Sequence, residues 1–353
     1  MLTPALALAC ALSGCAGRAP RLDATEPVMA FSEPSEAGLR DGRGRFRQIY
    51  CAVLDARPEL PDHRSCGDAL TRLGREPAGE ASPVDLGPSR RQFVVALVPG
   101  IGYDCVAAWL QPSDTAARHV ARFGHELRLL PVDALSGTAA NARRVRDAVL
   151  AMDPGPGAPR TVLVGYSKGA PDLLEAIVAY PEIRPRLAAV VSLAGAVGGS
   201  PLADDAQQYQ AELLRHFPGA RCDAGDGGGV AALRTDTRRA WLAANPMPPD
   251  LPVYSVVTAP GPDRISSLLR LSAGRLDAID PRHDGQVLLR DQIVPGSTLV
   301  AYVNADHWAI ALPIARSHPL VASMFVTRND YPREALLEAV LRFVEEDLEA
   351  RGR

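Results

Sequence analysis

An excess of charge of one sign is missing. Against 38 Lys and Arg stand 41 Asp and Glu, a formal charge of -3 over 353 residues, so no positive field argues for a nucleic-acid partner. A long apolar run is missing too: the stretch inside MLTPALALACALSGCAGRAP at the N-terminus is too short to span a bilayer. No paired Cys or His spacing of the zinc-site kind is present, so no metal is expected. Neither GGSPLADD nor DAGDGGG is a phosphate loop with a lysine between strand and helix, so nucleotide binding is set aside and no cofactor is expected. No internal repeat is found, and no signal fixes an oligomeric state. What remains is a globular mixture, 47% hydrophobic and 22% charged, in a chain long enough to bury a large core.

Residues 16 to 44 are rich in Pro, Gly, Ala and charge without sustained periodicity and read as a flexible tether. Residues 45 to 90 follow as an N-terminal helical extension, with helical stretches at RFRQIYCAVLDA and CGDALTRLG around a proline-bearing loop. From residue 91 to 353 the pattern alternates. The apolar segments QFVVALV, ELRLLPV, TVLVG, LAAVVSLAG, PVYSVVT and TLVAYV are separated mostly by helical stretches. Near-continuous Val, Leu and Ala runs are what strands buried on both faces require, which predicts an α/β domain with a mostly parallel sheet and helices on both faces.

Within that alternation, Gly165-Tyr166-Ser167-Lys168-Gly169 lies between a predicted strand and the predicted helix KGAPDLLEAIVAY. This resembles the nucleophile elbow of the α/β-hydrolase superfamily, where the turn is so tight that the residues two before and two after the nucleophile must be small. The resemblance covers roughly residues 91 to 353 and implies a serine hydrolase of the lipase and esterase kind, with Ser167 as nucleophile. A serine hydroxyl needs a base, and a carboxylate to hold the base's tautomer. In the superfamily order of serine, acid and histidine, His307 in TLVAYVNADHWAIALP follows the last predicted strand, where the base belongs. His318 lies beyond a proline, His63, His119 and His125 precede the serine, and His216 and His283 fall before that strand.

The acid stays open among several candidates. Asp284, in RHDGQVLLRDQIVPGS, resembles the Asp-Gly-x-Val segment that supplies the acid in bacterial lipases of the superfamily and is preferred. Asp291 and Asp263 are rivals, Asp263 following PVYSVVT more closely, while Asp306 adjoins the histidine in sequence and is poorly placed to reach its ring. The oxyanion of acyl transfer also needs two donors. Pro99-Gly100-Ile101-Gly102 resembles the His-Gly-x-Gly oxyanion loop with proline in the place of histidine, which implies the N–H groups of Ile101 and Lys168. Asp172 lies one helical turn beyond Lys168, and an exposed ion pair at that spacing is worth only a few tenths of a kcal/mol.

Between LAAVVSLAG and PVYSVVT lies an insertion, about residues 196 to 251, where lipases and esterases often carry a lid. Its helix-spaced Leu, Tyr and Phe and the Gly-rich DAGDGGG suit either a mobile cover or a packed excursion. The expected substrate is a small-molecule or lipid ester, cleaved through an acyl-enzyme. Acyl transfer to another alcohol uses the same groups, and a non-catalytic binding or scaffold member of the fold is the reading from another class.

At the N-terminus, Leu12-Ser13-Gly14-Cys15 resembles the lipobox of bacterial lipoprotein precursors, although no Lys or Arg precedes the apolar stretch. The resemblance implies a signal peptide over residues 1 to 15 and a lipid attached at Cys15. The absence of aspartate at Ala16 and Gly17 points to the outer membrane facing the periplasm. Export lets Cys51, Cys66, Cys105 and Cys222 oxidise. Cys51 with Cys66 and Cys105 with Cys222 is the preferred pairing of three possible ones, with buried free thiols the alternative.

Overall fold

The strand sequences FVVALV, RTVLVGY and LAAVVSL alternate between two buried faces, and the fold covers both. In the computed structural model, which describes residues 38–103, 114–133, 135–152, 155, 160–205, 225–320 and 326–353, the strands are β1 (Arg40–Asp41), β2 (Phe93–Val98), β3 (Glu126–Leu129), β4 (Arg160–Tyr166), β5 (Leu187–Leu193), β6 (Val253–Thr258) and β7 (Thr298–Val303). They form one sheet in the order β1-β7-β6-β5-β4-β2-β3. Every pairing in it is parallel, as the buried apolar runs predict.

On one face, Val95, Val162, Val164 and Val191 pack against α1 (Arg43–Ala56), α2 (Asp114–Ala121) and α7 (Arg333–Ala350). On the other, Ala96, Val98, Leu163 and Val190 meet α3 (Thr138–Ala151) and α4 (Gly169–Ala179), with Trp241 of α5 (Thr235–Ala244) alongside. A further helix, α6 (Arg270–Asp277), lies in the connection between β6 and β7.

Two expected boundaries move. The tether ends before residue 44, because Arg40 and Asp41 pair in register with Thr298 and Leu299 and Gly42 N–H donates to Leu299 at 2.8 Å. A two-residue strand held by backbone hydrogen bonds leaves no trace in composition. The extension of residues 45 to 90 is part of the main core: Phe46, Ile49, Tyr50, Val53 and Leu54, at helical spacing, are all buried with Phe343 and Val344 of α7. Burying side chains of this size stabilises by roughly 1.5–3 kcal/mol each, which binds α1 to the sheet domain.

Cys51 and Cys66 form the expected disulfide, with Cα atoms 5.1 Å apart. Cys15, Cys105, Cys222 and His216 lie outside the described residues, as do residues 206–224 of the insertion. The glycine-rich end of that insertion packs against the loop before α3: Gly229 N–H donates to Leu135 at 2.9 Å, and Asp226 accepts from Gly137 N–H at 2.7 Å. That part is a packed excursion.

The chain reverses its direction of travel across the sheet between β2 and β4. In open α/β sheets the crevice at such a switch point, beyond the carboxyl ends of the strands, is where ligands bind. The loop after β2 and the turn after β4 both open there.

The disulfide closes a segment of sequence separation 15, and a loop of that length stabilises by about 3 kcal/mol through the unfolded state. Cys51→Ala with Cys66→Ala is expected to lose up to about that much in urea unfolding. An unchanged midpoint would mean that the packing of α1 alone holds this region.

Candidate active site

Ser167 sits one residue past β4 with φ 53°, a backbone region that residues with a Cβ rarely enter. The turn leaves no room for side chains on either side. A Cβ at Gly165 would lie 2.6 Å from the Gly169 carbonyl oxygen, and one at Gly169 would run into the carbonyl of Val98. The two glycines are therefore steric necessities of the close approach between β4, α4 and β2, and the turn lifts the serine out of the strand.

His307 comes from the loop after β7, and its Nε2 lies 2.8 Å from Ser167 Oγ. Its Nδ1 lies 2.7 Å from Asp284 Oδ2. Asp284 is fully buried. Burial by itself pushes its carboxyl up, but His307 and the hydrogen bonds from Thr258 and the Val287 N–H hold it below the usual carboxylate range. Thr258 Oγ1 donates to Asp284 Oδ2 at 2.6 Å; Oδ1 accepts from the N–H groups of Gln286 at 2.9 Å and Val287 at 2.8 Å. An ionised carboxylate can only accept, so the Nδ1 proton sits between it and the ring, and Nε2 is left to accept from Ser167. The histidine backbone is fixed as well, by His307 N–H to Asp284 O at 2.9 Å and by Tyr166 OH to His307 O at 2.7 Å.

The rival acids lie elsewhere. Asp291 packs against Gly198 and accepts its N–H on the backbone carbonyl at 2.8 Å. Asp263 lies exposed on the turn Pro262–Arg264. Asp306 is buried but accepts the N–H groups of Ser266, Trp308 and Ala309. Among the other described histidines, His283 meets Asp277, His119 meets Glu338, His125 meets Phe93 N–H and His63 meets Leu54 O.

Gly100 brings the loop after β2 against the serine: a Cβ there would stand 2.9 Å from Ser167 Cβ. Ile101, next in that loop, packs on the cluster of Ala196, Ala203, Leu233 and Val287. Lys168 caps α4, so its N–H lies at the positive end of that helix. The Lys168–Asp172 pair is not an exposed one. Both side chains are about 1% exposed, and Nζ lies 2.8 Å from each carboxylate oxygen. The spacing of four residues gives the contact, and Asn141 of α3 covers it with a hydrogen bond to Asp172 Oδ2 at 2.7 Å.

Sequence reasoning missed Thr258 and Tyr166. Thr258 ends an apolar strand in a hydroxyl, and Tyr166 sits in the elbow motif itself; each was visible only as a residue type. An apolar cavity of about 170 Å³ lies behind the turn, between the sheet and α7, with Tyr166, Leu193 and Val340 in its wall. Neither Ser167 nor His307 lines it. Among the described residues, no group of three or more His, Cys, Asp or Glu is arranged to hold a metal ion.

Among solved structures, the chain is similar to a metagenomic carboxyl esterase, at 37% identity over 90% of this chain and 95% of that one, with a TM-score of 0.82. It is also similar to the mature form of a Bacillus licheniformis lipase, at 17% identity over 69% and 95% of the two chains, with a TM-score of 0.50. EstA from Clostridium botulinum matches at 11% identity over 84% and 98%, also at 0.50. The last two identities bear on the fold alone. No family profile matches the sequence, and no curated protein matches it.

The line of hydrogen bonds makes Ser167 reactivity depend on Asp284. Asp284→Asn is expected to slow phosphonylation of Ser167 by a fluorophosphonate by roughly three to four orders of magnitude, the order of loss known for such a change, while Asp291→Asn and Asp263→Asn stay within about tenfold. A large loss at Asp291 or Asp263 instead would contradict the geometry.

Proposed function

We propose, from the premise that the chain belongs to the carboxyl esterases of the α/β-hydrolase fold, that it cleaves carboxylic esters through an acyl-enzyme on Ser167. The observation that carries this is the continuous line from Ser167 Oγ through His307 to Asp284, at 2.8 and 2.7 Å, at the sheet's switch point. As Ser167 Oγ attacks the acyl carbon, its proton passes to His307 Nε2, and the ionised Asp284 stabilises the imidazolium. The carbonyl oxygen takes up the negative charge and is held by the N–H groups of Ile101 and Lys168. His307 then protonates the leaving alkoxide, and the bond from the acyl carbon to that oxygen breaks. Water, deprotonated by His307, attacks the acyl carbon, and the carboxylic acid leaves with Ser167 restored. The same acyl-enzyme serves an acyltransferase, but the membership among carboxyl esterases favours water as acceptor.

The substrate in this reading is a small-molecule ester. The enzyme is placed at the cell envelope, anchored through lipid on Cys15 after cleavage of residues 1 to 15, with residues 16 to 39 as the tether; the lipobox-like Leu12-Ser13-Gly14-Cys15 supports this.

With a p-nitrophenyl ester, the wild-type chain lacking residues 1 to 15 is expected to show a burst of nitrophenol and a mass increase of one acyl group on the peptide holding Ser167. Ser167→Ala removes both. A folded wild type that neither turns over esters nor reacts with fluorophosphonates would leave a binding protein in place of an enzyme.

For the anchor, bacterial expression of the full chain is expected to place the protein in the membrane fraction, and Cys15→Ser to release it or block maturation. Wild type recovered wholly in the soluble cytosolic fraction sinks this part of the proposal without touching the chemistry.

A further inference from the structure

Lys168 is the single lysine of the chain, and it follows the serine directly with its side chain buried. Its ammonium meets both oxygens of Asp172. Asp172 Oδ2 accepts in addition from Asn141 Nδ2 of α3 at 2.7 Å. Asn141 is completely buried and is itself pinned, its Nδ2 donating to Asp133 O at 2.9 Å and its Oδ1 accepting Asp133 N–H at 3.0 Å. A chain of short bonds thus runs from the elbow to the loop after β3, the loop that also holds Asp226 of the insertion through Gly137.

Stability alone is a weak reason for such a pair, since apolar replacements of a buried ion pair are often neutral or stabilising. What it does hold is the residue whose N–H is one of the oxyanion donors. The peptide between Ser167 and Lys168 emerges from a serine with positive φ; its carbonyl oxygen accepts from the N–H groups of Ala170 at 3.1 Å and Ala196 at 3.0 Å, and the lysine side chain is its anchor on the N–H side. A side chain fixed at its far end limits how that peptide can turn.

We propose that Lys168, through its buried contact with Asp172 and Asn141, is a positioning residue that fixes the peptide plane carrying the Lys168 N–H toward the oxyanion, and that this requires Asp172 to be ionised. The proposal rests on the reading of Ser167 as nucleophile. Facing Asp172 are Lys168 of the elbow, Asn141 of α3 and, at longer range, Arg238 of α5, while Asp226 faces Lys168; Glu175 of α4 faces Arg238. Burial pushes the Asp172 carboxyl up to about 6, against the downward pull of Lys168 and Asn141. The carboxylate is therefore present above about pH 6 and lost as the pH falls through that value. Below it Lys168 loses its ionic anchor.

The ionisation of Asp172 then shapes the acid side of the rate profile. Ester hydrolysis is measured against pH for wild type, Asp172→Asn, Lys168→Met, and the double variant Lys168→Met with Asp172→Leu, with thermal unfolding in parallel. The double variant removes both charges of the pair together, leaving Arg238 with Glu175, and serves if a single one fails to fold. The expected result is a 10- to 100-fold lower kcat with KM within about twofold in the variants, since an oxyanion donor acts in the transition state and small misplacements there are costly. The wild-type kcat is expected to show a 10- to 100-fold fall through about pH 6 that Asp172→Asn lacks. A double variant that unfolds no earlier than wild type and keeps kcat within twofold, or an acid limb unchanged by Asp172→Asn, overturns the proposal. A wild type without ester turnover or phosphonate labelling instead overturns the reading of Ser167 on which it rests.

Discussion

The close approach of three backbones behind Ser167 is the constraint on which the site depends. Strand β4 ends, α4 begins, and the carbonyl of Val98 at the end of β2 lies where any side chain at position 169 would have to go. Only glycine at 165 and 169 lets β2, β4 and α4 meet at this distance. The result forces Ser167 to φ 53°, an arrangement that costs of order 1–3 kcal/mol and persists only where surrounding structure over-determines it. The surroundings do so here: Ser167 N–H donates to Leu193 O at 3.2 Å, Ala196 N–H donates to Ser167 O at 3.0 Å, and the apolar body of α4 is buried in the core.

From that fixed point the rest of the site is assembled by strands that end nearby. Strand β7 delivers His307 on its outgoing loop, β6 ends in Thr258, and the connection between them carries Asp284. Thr258 and Tyr166 tie the strand ends to the acid and to the histidine backbone. The carboxylate is excluded from water yet kept ionised by fixed donors, so its negative charge acts on His307 at short range in a poorly screened environment. Hydrogen bonds from strand ends and backbone hold each group on its loop, and a reaction requires such close positioning.

The insertion between β5 and β6 divides into two roles among its described residues. Leu233 packs with Ala196 and Val287 near the site. Arg238 is almost wholly buried, stacked over Trp241 and donating to Val197 O at 3.1 Å. This segment is bound into the domain on the same side as Asn141 and Asp172, so the elbow is braced from the helix layer as well as from the sheet.

The α/β order, the parallel character of the sheet and the strand–serine–helix turn were legible in the amino-acid order alone, because periodicity and small residues act over a few positions and are visible locally. That order also narrowed the histidine to His307, since the chain order of strands limits which loop can reach a serine after β4. The choice among Asp284, Asp291 and Asp263 belonged to the tertiary structure. All three follow β6, and only the path of the loop brings Asp284 to 2.7 Å from the ring while leaving Asp263 on the surface. The burial of Lys168 with Asp172 likewise came from packing, with Asn141 of α3 hydrogen-bonded to the carboxylate. Strand β1 was hidden because two residues paired through their backbone have no side-chain pattern to read. Local rules set which groups can react; long-range packing decided which of them meet and how dry their surroundings are.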